Sequence, residues 1–474
     1  MSNPGIYLSF VTLVFFAYWA IAHRPSMRAS LLVTVNLLFY WLAAGPFVAL
    51  LCLISAVDFV TTRAMSVLTG GVRRKLLLVL SLTLDLGVLC VFKYSGFFFG
   101  TGQAVSSWLG VSLHWPVLNF IAPLGLSFYV FQSVALVLDC YRRECKPAES
   151  YLDHLAFISF FPTITAGPIL RAKQLLTALR GPLTLDAGTG SRALLLIATG
   201  LTKKIAVADY LSVNLVNRVF DFPERFSSIE VLFAVYGYAL QIYADFSGYS
   251  DIAVGTAMLL GFNVPANFKL PYRAKNLPEF WRRWHISLST WLRDYIFFVF
   301  VKGKMRRPMT LYAGLVVTML VGGLWHGPSW TFVLWGLLHG VGLALARAFE
   351  ALRRRTNFEP RSSRWSRALA AVVTFHFVCL AWVFFRADSL GGALGLLKQI
   401  STLSTDVSNL TLPLALLVAG GLMSQWIPDH VRLKFREGFT GLPALAQAGA
   451  LAALAVGLYI VASTDVVPFI YARF

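Results

Sequence analysis

The sequence predicts an all-α, polytopic membrane protein with about eleven transmembrane or re-entrant elements. Three observations carry that prediction. Of 474 residues, 57% are apolar and only 13% are charged, with a mean hydropathy of +0.68. Soluble domains run nearer half apolar and a quarter charged. The apolar residues also come in runs close to the length a spanning helix needs, about 20 residues. Finally, 41 Lys+Arg against 22 Asp+Glu give a net charge of +19, and the excess collects in the flanks of those runs, as in positive-inside loops. A basic mouth for an anionic substrate is a second, compatible source of the charge. This composition excludes a soluble enzyme, a disordered tail and a nucleic-acid-binding domain.

Taken in order, residues 6–22 form a first span that exits to His23, Arg24 and Arg28, which puts the N-terminus outside the cytoplasm. With no early basic region and no small-residue cleavage site after it, this span reads as retained rather than as a signal peptide. Residues 31–44, 47–62 and 76–94 follow, with Arg63 and the turn Arg73, Arg74, Lys75 on the cytoplasmic side. The Gly/Ser-rich stretch 97–114 is expected at the outer interface. Residues 117–140 return to Arg142, Arg143 and Lys146. Residues 151–170 are apolar but hold His154, Pro162 and Pro168. A broken or re-entrant segment is expected there, because irregular backbone at membrane depth survives only inside protein or along a cavity.

Residues 191–219 read as helix interrupted by Lys203, Lys204 and Asp209, and residues 229–261 are too long for one span. Segment 263–307 is basic, amphipathic and not a span, so it is expected at the cytoplasmic interface. Residues 310–325 and 331–346 form a hairpin whose two outer flanks are both strongly basic. Its turn therefore lies deep in, or across, the membrane. Residues 368–385, 412–426 and 444–461 complete the chain. One membrane domain, 1–474, is expected: N-terminal helices over 1–150, a core over 151–350 and C-terminal helices over 351–474. No internal repeat supports a repeat-built transporter. The five cysteines (Cys52, Cys90, Cys140, Cys145, Cys379) show no paired spacing and read as small apolar fillers.

Ionisable residues inside membrane segments are functional candidates by default. In residues 281–298, Trp281, Trp284, Leu288, Trp291 and Tyr295 recur at helical spacing and make one stripe, with His285 at its border. Arg282, Arg293 and Asp294 lie round the same helix. An interfacial helix with an aromatic belt and a site built on His285 both remain open here. In residues 322–339, Trp325 and His326 end an apolar span, boxed by Gly322, Gly323, Gly327 and Pro328. Glycines allow close backbone approach and proline breaks the helix. An interfacial histidine in a turn and a catalytic one both fit. His339 follows on the return helix, and His376 reads as a hydrogen-bonded core histidine. Residues 241–251 pack Gln241, Tyr243, Asp245, Ser247, Tyr249, Ser250 and Asp251 into the membrane. A structural network around a pore is favoured there over direct catalysis. No metal site is expected, since the histidines lack ligand spacing, and no phosphate-loop, HExxH or GxSxG motif occurs.

Two stretches carry a resemblance: WRRWHISLSTWLRDYIF (281–297) and GGLWHGPSWTFVLWGLLHG (322–340). FPTITAGPI (161–169), YADFSGYSDIAVG (243–255) and WVFFRAD (382–388) support it. Together they resemble the membrane-bound O-acyltransferases (MBOAT), and among them the bacterial AlgI-like branch of alginate and cellulose O-acetylation. The resemblance implies a multi-pass protein of the bacterial inner membrane whose helices surround a central tunnel. It implies transfer of acetyl from acetyl-CoA, as donor rather than bound cofactor, towards an exopolysaccharide. The implied partners are membrane lipid, a periplasmic SGNH-like acetyltransferase and exopolysaccharide machinery, with no nucleic acid. His326 is then the catalytic histidine and His285 the second signature histidine, able to donate to the carbonyl oxygen or to orient the thioester. Trp281, Trp284, Arg282, Arg293, Asp294, Trp325, Asp245, Tyr249, Arg306 and Arg307 become the expected substrate-binding residues, the last two at a basic mouth for CoA. A D-alanyl transfer to teichoic acid of the DltB type, a transporter or flippase, and a non-catalytic export scaffold stay open as alternatives.

Overall fold

A computed structural model describes residues 4–111, 120–303, 305, 307–356, 363–462 and 469–470. Those residues hold helices and turns and no strand. Six helical stretches are long and apolar enough to cross a membrane: residues 25–67, 72–108, 308–326, 330–355, 364–386 and 444–461. Two shorter apolar ones cover 4–20 and 412–426. The protein is an all-α, multi-pass membrane protein. Its chain divides into two compact units, one of residues 1–193 with 253–265, the other of 194–252 with 266–474.

The first unit begins with α1 (Pro4–Ala20), α2 (Pro25–Ala44), α3 (Val48–Val67), α4 (Val72–Leu89), α5 (Ser95–Trp108), α6 (Leu126–Arg142), α7 (Tyr151–Ile158) and α8 (Ala172–Arg180). The expected interface stretch 97–114 is helical as far as Trp108, a continuation of α4 through a π turn, and its last residues lie outside the described ones. α6 is buried along most of its length, so it is a core helix. The basic ends expected on one side do meet. Arg63 donates to the carbonyls of Ala148 and Glu149, Arg74 to Cys140 and Tyr141, and Arg143 to Thr69. The broken segment is also present. After α7 the chain runs through turns and is buried from Asp153 to Ile164. Asn36 of α2 makes this possible: its amide donates to the Ala156 carbonyl and Ser159 hydroxyl, and its oxygen accepts from Phe161 N. One side chain thus satisfies backbone groups that water cannot reach. In the same way Asp58 of α3, fully buried, accepts from the hydroxyls of Ser81 and Ser133.

α9 (Ala187–Thr202) leads into the second unit, which holds α10 (Asn217–Asp221), most of α11 (Ser228–Leu259), α12 (Leu277–Trp281), α13 (Ile286–Leu292), α14 (Phe298–Val301), α15 (Pro308–His326), α16 (Trp330–Arg355), α17 (Arg364–Arg386), α18 (Leu390–Ser401), α19 (Leu412–Met423), α20 (Asp429–Thr440) and α21 (Ala444–Val461). α11 is a single helix of 32 residues, about 48 Å at 1.5 Å per residue. Two glycine crossings organise this unit. A Cβ on Gly200 would lie 2.5 Å from the Gly248 carbonyl oxygen, and one on Gly248 would lie 2.7 Å from that of Gly200. That close approach of α9 and α11 aligns Lys203 with Asp251 at 2.6 Å, and Lys204 with Asp245 at 2.8 Å and Asp209 at 2.7 Å. α15 and α16 cross in the same manner. A Cβ on Gly323 would meet the Phe332 oxygen at 2.3 Å, and one on Gly336 the Met319 oxygen at 2.4 Å. Gly336 and Gly340 form a small-xxx-small face of the kind that packs membrane helices closely.

The stretch 281–298, for which an interfacial helix is one open reading of the sequence, is not a single helix. Residues 277–301 are α12, a turn, α13, a π turn and α14. Phe280, Trp284, His285, Leu288 and Trp291 are buried, so one side of this stretch is core, while Arg282, Arg293 and residues 298–300 are exposed.

Three stability changes follow. Gly336→Ala should lower the thermal unfolding midpoint in detergent, because its methyl meets backbone. Gly395→Ala meets nothing within 4 Å and should raise the midpoint slightly, by a helix propensity gain of up to about 1 kcal/mol. Lys204→Met should destabilise by about 3–5 kcal/mol, as for any buried ion pair that loses one partner; equilibrium unfolding in mixed micelles measures it.

Candidate active site

His326 is the last residue of α15, and it is buried because the hairpin closes immediately after it. Gly327 continues in extended backbone, Ser329 caps α16 by accepting from Thr331 N, and a Cβ on Gly327 would strike the Phe332 ring at 2.3 Å. The imidazole is therefore walled by rings. Centroids of Trp325, Trp335 and Phe385 lie 4.9, 5.1 and 5.0 Å from it. Phe385 comes from the WVFFRAD stretch at the end of α17, whose Trp382 stacks on Trp335.

His285 sits in the turn between α12 and α13, in left-handed backbone with φ 40° and ψ 57°. That conformation is uncommon for a non-glycine residue and breaks the helix that the tryptophan spacing suggested. It is completely buried, with Phe246 of α11 edge-on at 4.6 Å and Trp325 at 5.7 Å. Trp325 thus touches both signature histidines, and their separation cannot exceed the sum of its two ring distances. Asn267 holds the turn. Its carbonyl accepts from Ile286 N, and its side-chain oxygen takes Ser287 N at 3.1 Å, Ser287 Oγ at 3.0 Å and His285 Nδ1 at 3.2 Å. Burial pushes the His285 imidazole down to about 3, so the ring is neutral at ordinary pH.

The other expected site residues fall into three places. Trp281 and Trp284 are core: the Trp281 indole donates to His339 Nδ1 at 3.3 Å, and Trp284 stacks on Phe280 at 5.6 Å. His339 is accordingly a structural histidine. Asp245 is the partner of Lys204 and also accepts from Ile470 N at 2.8 Å, and Tyr249 meets the Phe469 ring at 4.9 Å. Both thus have protein partners within that cluster's surroundings. Arg282 and Arg307 are exposed; Arg293 pairs with Asp294 at 2.9 Å, and Arg306 lies outside the described residues. Nearby, partial burial raises the Glu279 carboxyl, but the Lys275 N–H and the Arg283 guanidinium outweigh it and hold the group below its usual range. His376 is hydrogen-bonded as expected, to Tyr236 and the Val372 carbonyl, but it is exposed rather than core. Among the described residues no cluster of metal-ligating side chains occurs.

Sequence reasoning missed Asn267, Phe246, Phe332, Trp335 and Phe385. Phe246, Phe332, Trp335 and Phe385 lie inside stretches that carry the resemblance, which gave them no role; nothing local marks Asn267, 18 residues from the histidine it touches.

Known proteins resemble this chain across the region that holds these residues. Residues 148–387 match the membrane-bound O-acyltransferase family, a stretch that contains both histidines and their walls. The chain is 31% identical over 421 residues to a peptidoglycan O-acetyltransferase of Helicobacter pylori, covering 83% of this chain and 73% of that protein. It is 36% identical over 367 residues to the probable alginate O-acetylase AlgI of Azotobacter vinelandii, covering 77% and 70%. It is 32% identical over 293 residues to a teichoic acid D-alanyltransferase of Bacillus subtilis, covering 57% and 70%. The chain belongs to the membrane-bound O-acyltransferase family, resembles its AlgI members across most of its length, and is a multi-pass membrane O-acyltransferase.

Proposed function

We propose that this O-acyltransferase moves acetyl from cytoplasmic acetyl-CoA across the bacterial inner membrane for O-acetylation of an exopolysaccharide of the alginate or cellulose type, through a periplasmic SGNH-like partner. The observation that supports a chemical rather than a transport role is the pair of buried histidines joined by Trp325. An alcohol is a poor nucleophile at neutral pH, and a positioned imidazole that takes its proton as it attacks a thioester is worth about 10²–10⁴-fold. The aromatic walls keep water, the competing nucleophile, away. The AlgI likeness favours an extracellular polysaccharide, and the likeness to a peptidoglycan O-acetyltransferase supports a second reading in which the acceptor is a cell-wall glycan. The D-alanyl reading draws on a match to a smaller share of the chain.

On this reading the donor's nucleotide stays on the cytoplasmic side, met by basic residues that include Arg306 and Arg307, while the slim pantetheine arm carries acetyl into a tunnel. Arg386 is engaged with Asn217 and Asp221.

Membrane vesicles supplied with radiolabelled acetyl-CoA test the reading. His326→Ala should cut acetyl transfer by at least about 10²-fold with normal membrane insertion; wild-type transfer would reject the assignment. The pair Arg306→Glu and Arg307→Glu should raise KM for acetyl-CoA and spare kcat; the reverse pattern would exclude a donor mouth there. For the topology, a single cysteine replacing Arg354 should resist an impermeant thiol reagent added outside intact spheroplasts. Labelling from outside would overturn the cytoplasmic placement of the α16 end.

A further inference from the structure

The second signature histidine is expected either to donate to the acyl carbonyl or to orient the thioester, and its tautomer decides whether it can donate. We propose that Asn267 is a positioning residue that fixes His285 as the Nδ1–H tautomer, and so makes Nε2 the accepting nitrogen of that ring, beside the catalytic His326. The proposal rests on the reading that His285 works at the acyl-transfer centre.

The argument starts from the identity of one oxygen. Three groups converge on Asn267 Oδ1: the backbone N–H of Ser287 at 3.1 Å, the Ser287 hydroxyl at 3.0 Å and His285 Nδ1 at 3.2 Å. A backbone N–H only donates, so the atom it meets is the amide oxygen and not the nitrogen. The amide nitrogen points the other way, to Ser250 Oγ at 3.4 Å on α11. An oxygen that only accepts requires His285 Nδ1 to carry a hydrogen. In a neutral imidazole the other nitrogen is then an unprotonated lone pair. Full burial keeps the ring neutral.

Rigidity around the asparagine supports the assignment. Asn267 is itself buried. Its carbonyl accepts from Ile286 N at 2.9 Å, so backbone and side chain grip both residues after His285. The left-handed backbone at His285 is the strained turn that this grip pays to hold. Phe246 and Trp325 meet the ring and restrict its rotation.

A neutral Nε2 lone pair cannot donate to a carbonyl oxygen, so the carbonyl-donor role expected for His285 gives way to an acceptor role. In the transfer step a histidine of the pair takes the acceptor's hydroxyl proton as the hydroxyl oxygen bonds to the acyl carbon, and Nε2 of His285 is held ready to accept rather than to donate. When the carbon–sulfur bond breaks, that proton goes to the departing sulfur, which leaves as a thiol, and the imidazole returns to its neutral form.

The readout that needs no substrate is 15N NMR of the histidine-labelled protein in bilayers. The chain has eight histidines, and the His285 signals are assigned by their loss in His285→Gln. The expected spectrum has a protonated Nδ1 and an unprotonated Nε2, and in Asn267→Leu the ring should move to the Nε2–H form or a mixture. A protonated Nε2 in the wild type, or a tautomer indifferent to Asn267, would overturn the proposal. Asn267→Asp keeps an accepting oxygen and guards against a leucine variant that does not fold. It should retain the tautomer and stabilise the imidazolium, so its acetyl transfer should fall as pH drops from 8 to 5 while the wild type stays flat. Matching pH profiles would equally count against Asn267 acting through the ring. Full acetyl transfer by His285→Ala would instead remove the functional reading, whatever the spectrum shows.

Discussion

The site depends on how closely two membrane helices can approach. α15 and α16 touch through backbone at Gly323 and Gly336, where even a methyl group would collide with a carbonyl oxygen. That contact sets the depth at which His326 ends its helix and turns Trp335 and Phe332 of the return helix towards it. Lipid offers no hydrophobic drive to bring helices together, so such contacts must come from packing itself. A bulkier residue in the crossing would push the helices apart and move the walls of the histidine, although it touches no part of the imidazole.

The same economy of contact governs the polar groups. A carboxylate or amide out of reach of water must find its partners in protein. In one unit Asn36 serves three groups of the broken segment after α7. In the other, Lys204 lies between two aspartates, and the glycine crossing of α9 and α11 is what lets it reach them. Asn267 follows the same rule with a different result. The oxygen that satisfies two groups of Ser287 also orders the imidazole next to it. A buried asparagine there settles both a turn and the proton inventory of the site.

Much of this was legible in the sequence, and the gaps have physical causes. The α15–α16 hairpin, the buried broken segment after residue 151 and the internal pairing of the 241–251 cluster follow from apolar run length, basic flanks and the cost of buried polarity. The turn at His285 does not. Trp281, Trp284, Leu288, Trp291 and Tyr295 keep helical spacing across a break, because the core wraps both short helices and selects apolar residues on each. Periodicity reports which side is buried, not whether the backbone is continuous. Asn267 escaped for another reason. Its contact with His285 spans a loop, and an isolated asparagine in a loop is ordinary. α8, α18 and α20 were missed because short helices with polar faces carry no signal of apolar run length.

The dry, ring-lined surroundings of His326 and His285 suit acyl transfer for a reason that goes beyond excluding water. In a low-dielectric site a separated pair of charges is costly, so an imidazolium and an oxyanion that persisted would raise the barrier rather than lower it. Proton removal must therefore accompany bond formation, and the proton must leave the ring when the sulfur departs. A ring held in one tautomer and orientation meets that demand, because no time is spent finding the right nitrogen once the hydroxyl arrives. Burial that holds His285 neutral lowers its basicity but keeps the lone pair available to accept. Desolvation, tautomer and helix approach thus converge on a single requirement, that the proton move once and return.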